Sequence, residues 1–127
     1  MEDIKLTLST DASKRSPNIE TEQEWLNQVG DLWYPLGPNR PLRAEPGCWV
    51  YFIRNGYLVA RARAVSFDPP SEHPRCSYTG QPTNRGSWEV RISKMKLATS
   101  PIRHKGFQGF RYVSADETES FRRAFED

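Results

Sequence analysis

No stretch of this chain approaches the ~20 consecutive apolar residues that a membrane-spanning helix needs. The opening MEDIKLTLST also lacks the apolar centre of an export signal. Cysteine is scarce: Cys48 sits in an apolar run and Cys76 in a polar stretch, without the framework of bridges that staples a small secreted domain. Free thiols and a cytoplasmic location are expected, with a single disulfide as the alternative and no membrane partner. Histidine is as scarce, and neither His73 nor His104 has a cysteine or carboxylate at metal-ligand spacing. No metal and no cofactor are therefore expected. Serines are plentiful, yet no nucleophile elbow, Ser-His-Asp context or glycine-rich phosphate signature appears. Catalysis has little support in the motifs, and whether the chain is an enzyme stays open. Binding has more.

What the chain does hold is aromatic rings and unevenly placed charge. Its 127 residues suit one domain, 1–127, with a single modest core and a polar, flexible start over 1–18. Only 36% of residues are hydrophobic, but 4 Trp, 5 Tyr and 6 Phe supply bulk that aliphatic residues would not. The net charge of +2 hides an asymmetry. Residues 1–31 carry seven acids against three bases, and 114–127 five against two. Between them, 85–113 hold seven cations against Glu89, and 40–63 five arginines against Glu45. Such a concentration suggests a local polyanion site. The plainer alternative is acidic helices packed beside basic strands.

Asn55-Gly56 between two apolar runs predicts a hairpin, because both turn residues must accept positive φ. Its strands fall near 48–53 and 57–67. Leu58, Ala60, Ala62 and Ala64 form a small face opposite Tyr57, Val59, Arg61 and Arg63. Thr21 with Glu24 predicts a capping box opening a helix over 21–33, TEQEWLNQVGDLW. The prolines of 35–46 exclude long regular structure there, and 68–87 reads as a long loop. Further strands are expected at Lys5–Leu8, over 88–98 and at Phe110–Val113. Ser114 with Glu117 caps a last helix carrying Phe121 and Phe125 to the chain end. The sum is an α+β domain: a small, curved, barrel-like antiparallel sheet flanked by helices near both ends.

The segment RHKGFQGFR, 103–111, is the leading candidate site. Its glycines let backbone N–H groups approach a phosphate, its cations add charge-assisted contacts, and a ring can stack on a base. Arg103, Lys105, Gly106, Phe107, Gln108 and Arg111 are the residues named for nucleic-acid contact. The plainer reading is a surface loop anchored by Phe107 or Phe110.

Three segments together resemble the PUA-like superfamily, in its EVE and ASCH branches. They are the pair Gly47-Cys-Trp-Val-Tyr-Phe and Leu58-Val-Ala-Arg-Ala-Arg-Ala-Val, the later Trp88-Glu-Val-Arg-Ile, and the closing Gly109-Phe-Arg-Tyr-Val-Ser before an acid-capped helix. The likeness covers roughly residues 45–125. It implies a small barrel with a concave nucleic-acid site; related EVE and YTH modules take a modified base into an aromatic pocket. EVE-like domains also occur beside modification-dependent restriction systems, which implies a nuclease partner and a role in defence, on DNA or RNA. ASCH relatives include hydrolases acting around a base with a lysine and a carboxylate, parts that Lys94 or Lys105 with Glu89 would play. A protein-interaction module is the third alternative.

An extruded base needs flat rings and an amide for its edge. Trp33 and Tyr34, where the expected helix meets the proline-rich loop, with Gln108, would supply them. Trp49 and Trp88 in strands complete the pocket set, although core is the commoner fate of strand tryptophans. Tyr78 in the long loop would form a lid.

Overall fold

The computed structural model describes residues 2–8, 18–70 and 86–126. Most of the long loop, with His73, Cys76, Tyr78 and Arg85, lies outside the described residues. In chain order the elements are β1 (Ile4–Thr7), α1 (Ile19–Val29), β2 (Leu32–Gly37), β3 (Trp49–Arg54) and β4 (Tyr57–Asp68). They continue with β5 (Trp88–Ile92), β6 (Lys96–Arg103), β7 (Phe110–Tyr112) and α2 (Ala115–Arg123). The seven strands make one curled, half-barrel sheet in the order β2-β5-β4-β3-β1-β7, with β6 also paired to β4. The architecture is α+β, as expected. The sheet is not wholly antiparallel, however: β1 runs parallel to β3, Ile4 beside Val50 and Thr7 beside Ile53. A parallel neighbour needs a long crossover, and here α1 and β2 lie within it.

Local signals account for the hairpin. Asn55 and Gly56 take φ of 53° and 82° and join β3 to β4. Along β4, extra residues interrupt the register between Leu58 and Ala60 and again between Ala64 and Ser66. Each bulge sharpens the twist and bends the strand, which is what curls a sheet towards a barrel. The first bulge also reverses an expectation. Ala60, Ala62 and Ala64 point into the inner core, whereas Leu58 belongs to a second cluster outside the sheet. The expected single strand over 88–98 breaks at Ser93–Met95, so that β5 and β6 pair with different stretches of β4.

The helix at the start is placed differently from expectation. Asn18, not Thr21, is the N-cap: its side-chain oxygen accepts from the Thr21 amide at 2.8 Å. Gly30 ends the helix with φ 96°, and Leu32, Tyr34 and Leu36 then alternate inward along β2. Pro35 is tolerated because β2 is an edge strand, where a missing N–H interrupts no ladder. Trp33 and Tyr34 are thus strand residues. At the other end the reading holds: Ser114 and Glu117 form the reciprocal capping box. The helix stops at Arg123, with Phe125 beyond it.

The two cores divide the molecule. Inside the curl, Leu6, Val50, Phe52, the three alanines and Ile92 pack with Leu26 of α1. Outside it, Phe121 and Phe125 cover Tyr51, Ile53 and Leu58. Cys48 is a buried free thiol, and burial, helped by the nearby Asp3 charge, pushes it up to about 11. No helix among the described residues is long and apolar enough to cross a membrane.

Candidate nucleic-acid interface

The chain between β6 and β7 is pinned at both ends, and its anchors decide what it presents. The His104 amide donates to the Gly56 carbonyl at 3.0 Å, fastening the loop to the hairpin turn. The Phe107 amide donates to Thr7 Oγ1 at 3.1 Å. Gly106 makes the close approach easy: a Cβ there would lie 3.2 Å from Thr7 Cγ2, and that side chain would have to give by a few tenths of an ångström. The amides of Lys105, Gly106 and Gln108 find no protein acceptor among the described residues. Glycine therefore brings the chain close and leaves donors outward.

Beneath the loop lies a polar triad that the sequence did not suggest. Lys5 of β1, only 7% exposed, donates to both Glu117 oxygens at 2.7 Å and contacts His104 Nε2 at 3.0 Å. His104 Nδ1 lies 2.8 Å from the Lys105 carbonyl. A carbonyl only accepts, so Nδ1 carries the hydrogen. Nε2 is then an acceptor from Lys5 when the ring is neutral, or a donor to Glu117 3.0 Å away when it is charged. The ring also meets Phe107 and Phe121 edge-on. Burial alone would raise the Glu117 carboxyl, but hydrogen bonds from Lys5 and the Ser114 amide, with His104 alongside, outweigh it and hold it at about 2.

A depressed carboxylate stabilises the fold above its ordinary value of 4.5, and that contribution fades as pH falls towards about 2. Glu117→Gln should thus be less stable than the parent at neutral pH, and the gap should close between pH 4.5 and 2. Denaturant melts of both proteins across that range provide the check. A gap independent of pH would refute the ion pair as its source.

The loop borders an open cleft of about 750 Å³. Phe107, Gln108 and Gly109 form one wall; Pro35, Gly37 and Pro38 at the end of β2 form another, with Leu8 and Ser87 between. The volume lies in the usual range for ligand clefts. Ser87 spends its hydroxyl on Gly37 and Trp88 backbone groups. Gln108 is exposed and its amide has no partner among the described residues, so it is the side chain free to meet a ligand edge. Arg103, Lys105 and Arg111 are exposed around it. The Arg111 guanidinium lies 4.8 Å from the Phe107 ring centre, which leaves its N–H edge outward.

The expected aromatic cage is not assembled. Consecutive strand residues face opposite ways, so Trp33 and Tyr34 cannot share a pocket. Trp33 is on the outer side, donating to Asp68 Oδ2 at 2.7 Å. Tyr34 is core: 1% exposed, its hydroxyl donating to Glu22 at 2.9 Å and its ring against Phe52. Trp88 packs on the inner core with Arg40 near its face. Trp49 lies outside β3 with a guanidinium close to its centre on each side, Arg63 at 3.6 Å and Arg61 at 3.9 Å. One indole face has no room for two groups that close, so the ring is sandwiched and neither face is left for a base. Tyr78 lies outside the described residues. Of the residues named for the hydrolytic alternative, Glu89 is fully buried, while Lys94 and Lys105 are exposed.

The loop and the cleft therefore come together, and the tryptophans do not. Sequence reasoning missed Lys5, Thr7 and Glu117, which hold the loop, and Gly37 and Ser87, which face it. No family model matches this chain, and no curated protein matches it either.

Proposed function

We propose that this protein is a nucleic-acid-binding module of PUA-like character that takes one base into the cleft beside Phe107. The observation that carries the reading is the coincidence of Phe107 and Gln108 in one cleft wall with Arg103, Lys105 and Arg111 exposed about it. A base held there would lie against the phenyl ring, present its edge to the Gln108 amide, and leave its phosphates to the cations and free amides. Leu8, Pro35 and Pro38 offer apolar surface that an added methyl on the base would bury. That favours a modified base, as in the reader part of a modification-dependent restriction or defence system acting with a nuclease partner. Extrusion of the base costs least where the strand is single or the pair weakened.

The test is fluorescence anisotropy with matched DNA and RNA oligonucleotides, single- and double-stranded, methylated and unmethylated, over a salt series. Binding that weakens steeply with salt, and is tighter for one modified member, is the expected result. No binding at low salt would overturn the nucleic-acid reading. Equal affinity for all members would overturn the base pocket.

A further inference from the structure

The clamp around Trp49 has a charge pattern that packing alone does not account for. Arg61 and Arg63 are two residues apart on β4 and point to the same outer side, roughly 7 Å from one another along the strand. Lys96 of β6 sits directly across from Arg61. Like charges placed opposite one another on a sheet are destabilising. Some of the other described cations have relieved theirs, Arg43 with Glu2, Arg91 with Asp31, Arg122 and Arg123 with Glu119 and Lys5 with Glu117, while those of the 103–111 loop have not. Arg61, Arg63 and Lys96 form no ion pair among the described residues. Asp3, the acid that meets this end of β3, instead accepts from the Trp49 amide at 2.8 Å.

What the sandwich does supply is order. Stacking on the indole uses the flat faces of both guanidinium groups and leaves the exposed N–H edge of Arg63 as a donor, whereas Arg61 turns its guanidinium to the Tyr51 hydroxyl and keeps its Nε buried without a partner. One Arg63 nitrogen donates to the Gly47 carbonyl at 2.8 Å. The Arg61 face also lies 4.7 Å from the Phe125 ring centre, and Lys96 donates to the Phe125 carbonyl at 3.0 Å. Three long side chains that would otherwise sample many rotamers are thus held in one arrangement before any ligand arrives, which lowers the entropic cost of binding.

We propose that Arg61, Arg63 and Lys96, set by Trp49, form a second anion site on the outer face of β3, β4 and β6, and that it takes the phosphodiester backbone of a nucleic acid. A row of three cations across two strands fits a linear polyanion better than a single phosphate. An anionic membrane fits less well, because surface-bound proteins insert apolar side chains. The exposed large hydrophobic residues described are Val29, Leu42 and Tyr57, none of them in this cluster. The site lies at the opposite end of β3 from the cleft: Trp49 begins the strand, whereas Thr7 of the cleft wall pairs with Ile53 near its finish. The two sites would then hold one strand at separate points. The proposal rests on the nucleic-acid reading and extends its footprint.

The experiment is an NMR titration with a short oligothymidylate, following the Nε–H signals of Arg61 and Arg63, the Trp49 indole N–H, and the Phe107 and Gln108 amides together. Shifts at the arginines and the indole are expected, and Arg63→Gln with Lys96→Gln should weaken binding at least threefold and lower the salt slope by about 1 to 2. Both substituted residues are exposed, so the fold should be kept, and the parent protein's own shifts need no variant. Shifts at Phe107 and Gln108 with silent arginines would overturn the outer site and leave the cleft standing. Shifts at the arginines alone would support the outer site and remove the cleft. Silence at both sets would overturn both. Vesicles containing phosphatidylserine form a further arm; stronger shifts with them than with the oligonucleotide would overturn the proposal by assigning the face to a membrane.

Discussion

Replacing Arg103, Lys105 and Arg111 together with alanine should weaken binding to every oligonucleotide by a similar factor and flatten its salt dependence. The three side chains are exposed, and none is in an ion pair among the described residues, so each is free to displace a counterion from a phosphate. On a single strand each contacted phosphate contributes about 0.7 to the slope of log affinity against log salt, so the triple variant should lose roughly 2 from that slope. Affinity should converge with the parent's at high salt and diverge as salt falls. Stability should change little, since solvated charges on a loop contribute little. Arg111 deserves separate substitution because it also lies on Phe107. A triple variant with the parent's slope would mean that this loop never meets phosphate, whatever else binds nearby. The modified-to-unmodified preference should survive, because phosphates carry no base information.

How much of this was legible beforehand depends on how far apart the partners lie in sequence. The Asn55-Gly56 turn and the Ser114–Glu117 capping box each involve neighbours, and both are where the sequence puts them. The start of α1 was missed because two caps compete within four residues, and Asn18 takes the one that adds a turn bearing Ile19. β2 was hidden by its proline, Pro35, whose cost vanishes at a sheet edge. Its alternation of Leu32, Tyr34 and Leu36 was the signal available. The parallel pairing of β1 with β3 leaves no local trace at all.

The candidate site divides in the same way. Phe107 and Gln108 could be singled out because cations, glycines and a ring are contiguous. Lys5 and Glu117 are 112 positions apart, and only the order of strands brings them together. Trp49 was legible as a strand residue and read as pocket or core, whereas its outward place and its two arginine neighbours come from the register of β4, which bulges alter. Composition suggested a cage of tryptophans. Strand parity distributes them instead over both faces of the sheet.

Phe107→Leu should cost roughly ten- to hundredfold in affinity while leaving the salt slope as it was. Stacking one base on an aromatic ring is worth about 1–3 kcal/mol, and leucine keeps apolar bulk but offers no flat face. Leucine is chosen over alanine because Phe107 is half-buried against the outer core and meets His104 edge-on. Because the ring is only half-buried, the smaller leucine leaves little void behind it, so a folded protein remains to be assayed. The contrast with the charge variant is what gives the pair its force. Loss of phosphate contacts changes the slope and spares base preference; loss of the ring spares the slope and removes the preference for a modified base. Anisotropy titrations of both variants over one salt series, with methylated and unmethylated strands, read both quantities. If Phe107→Leu binds every strand as the parent does, the ring is an anchor of the outer core and the cleft holds no base. If it lowers the slope as well, Phe107 acts by seating Arg111, 4.8 Å from its centre, and the contact belongs to the backbone.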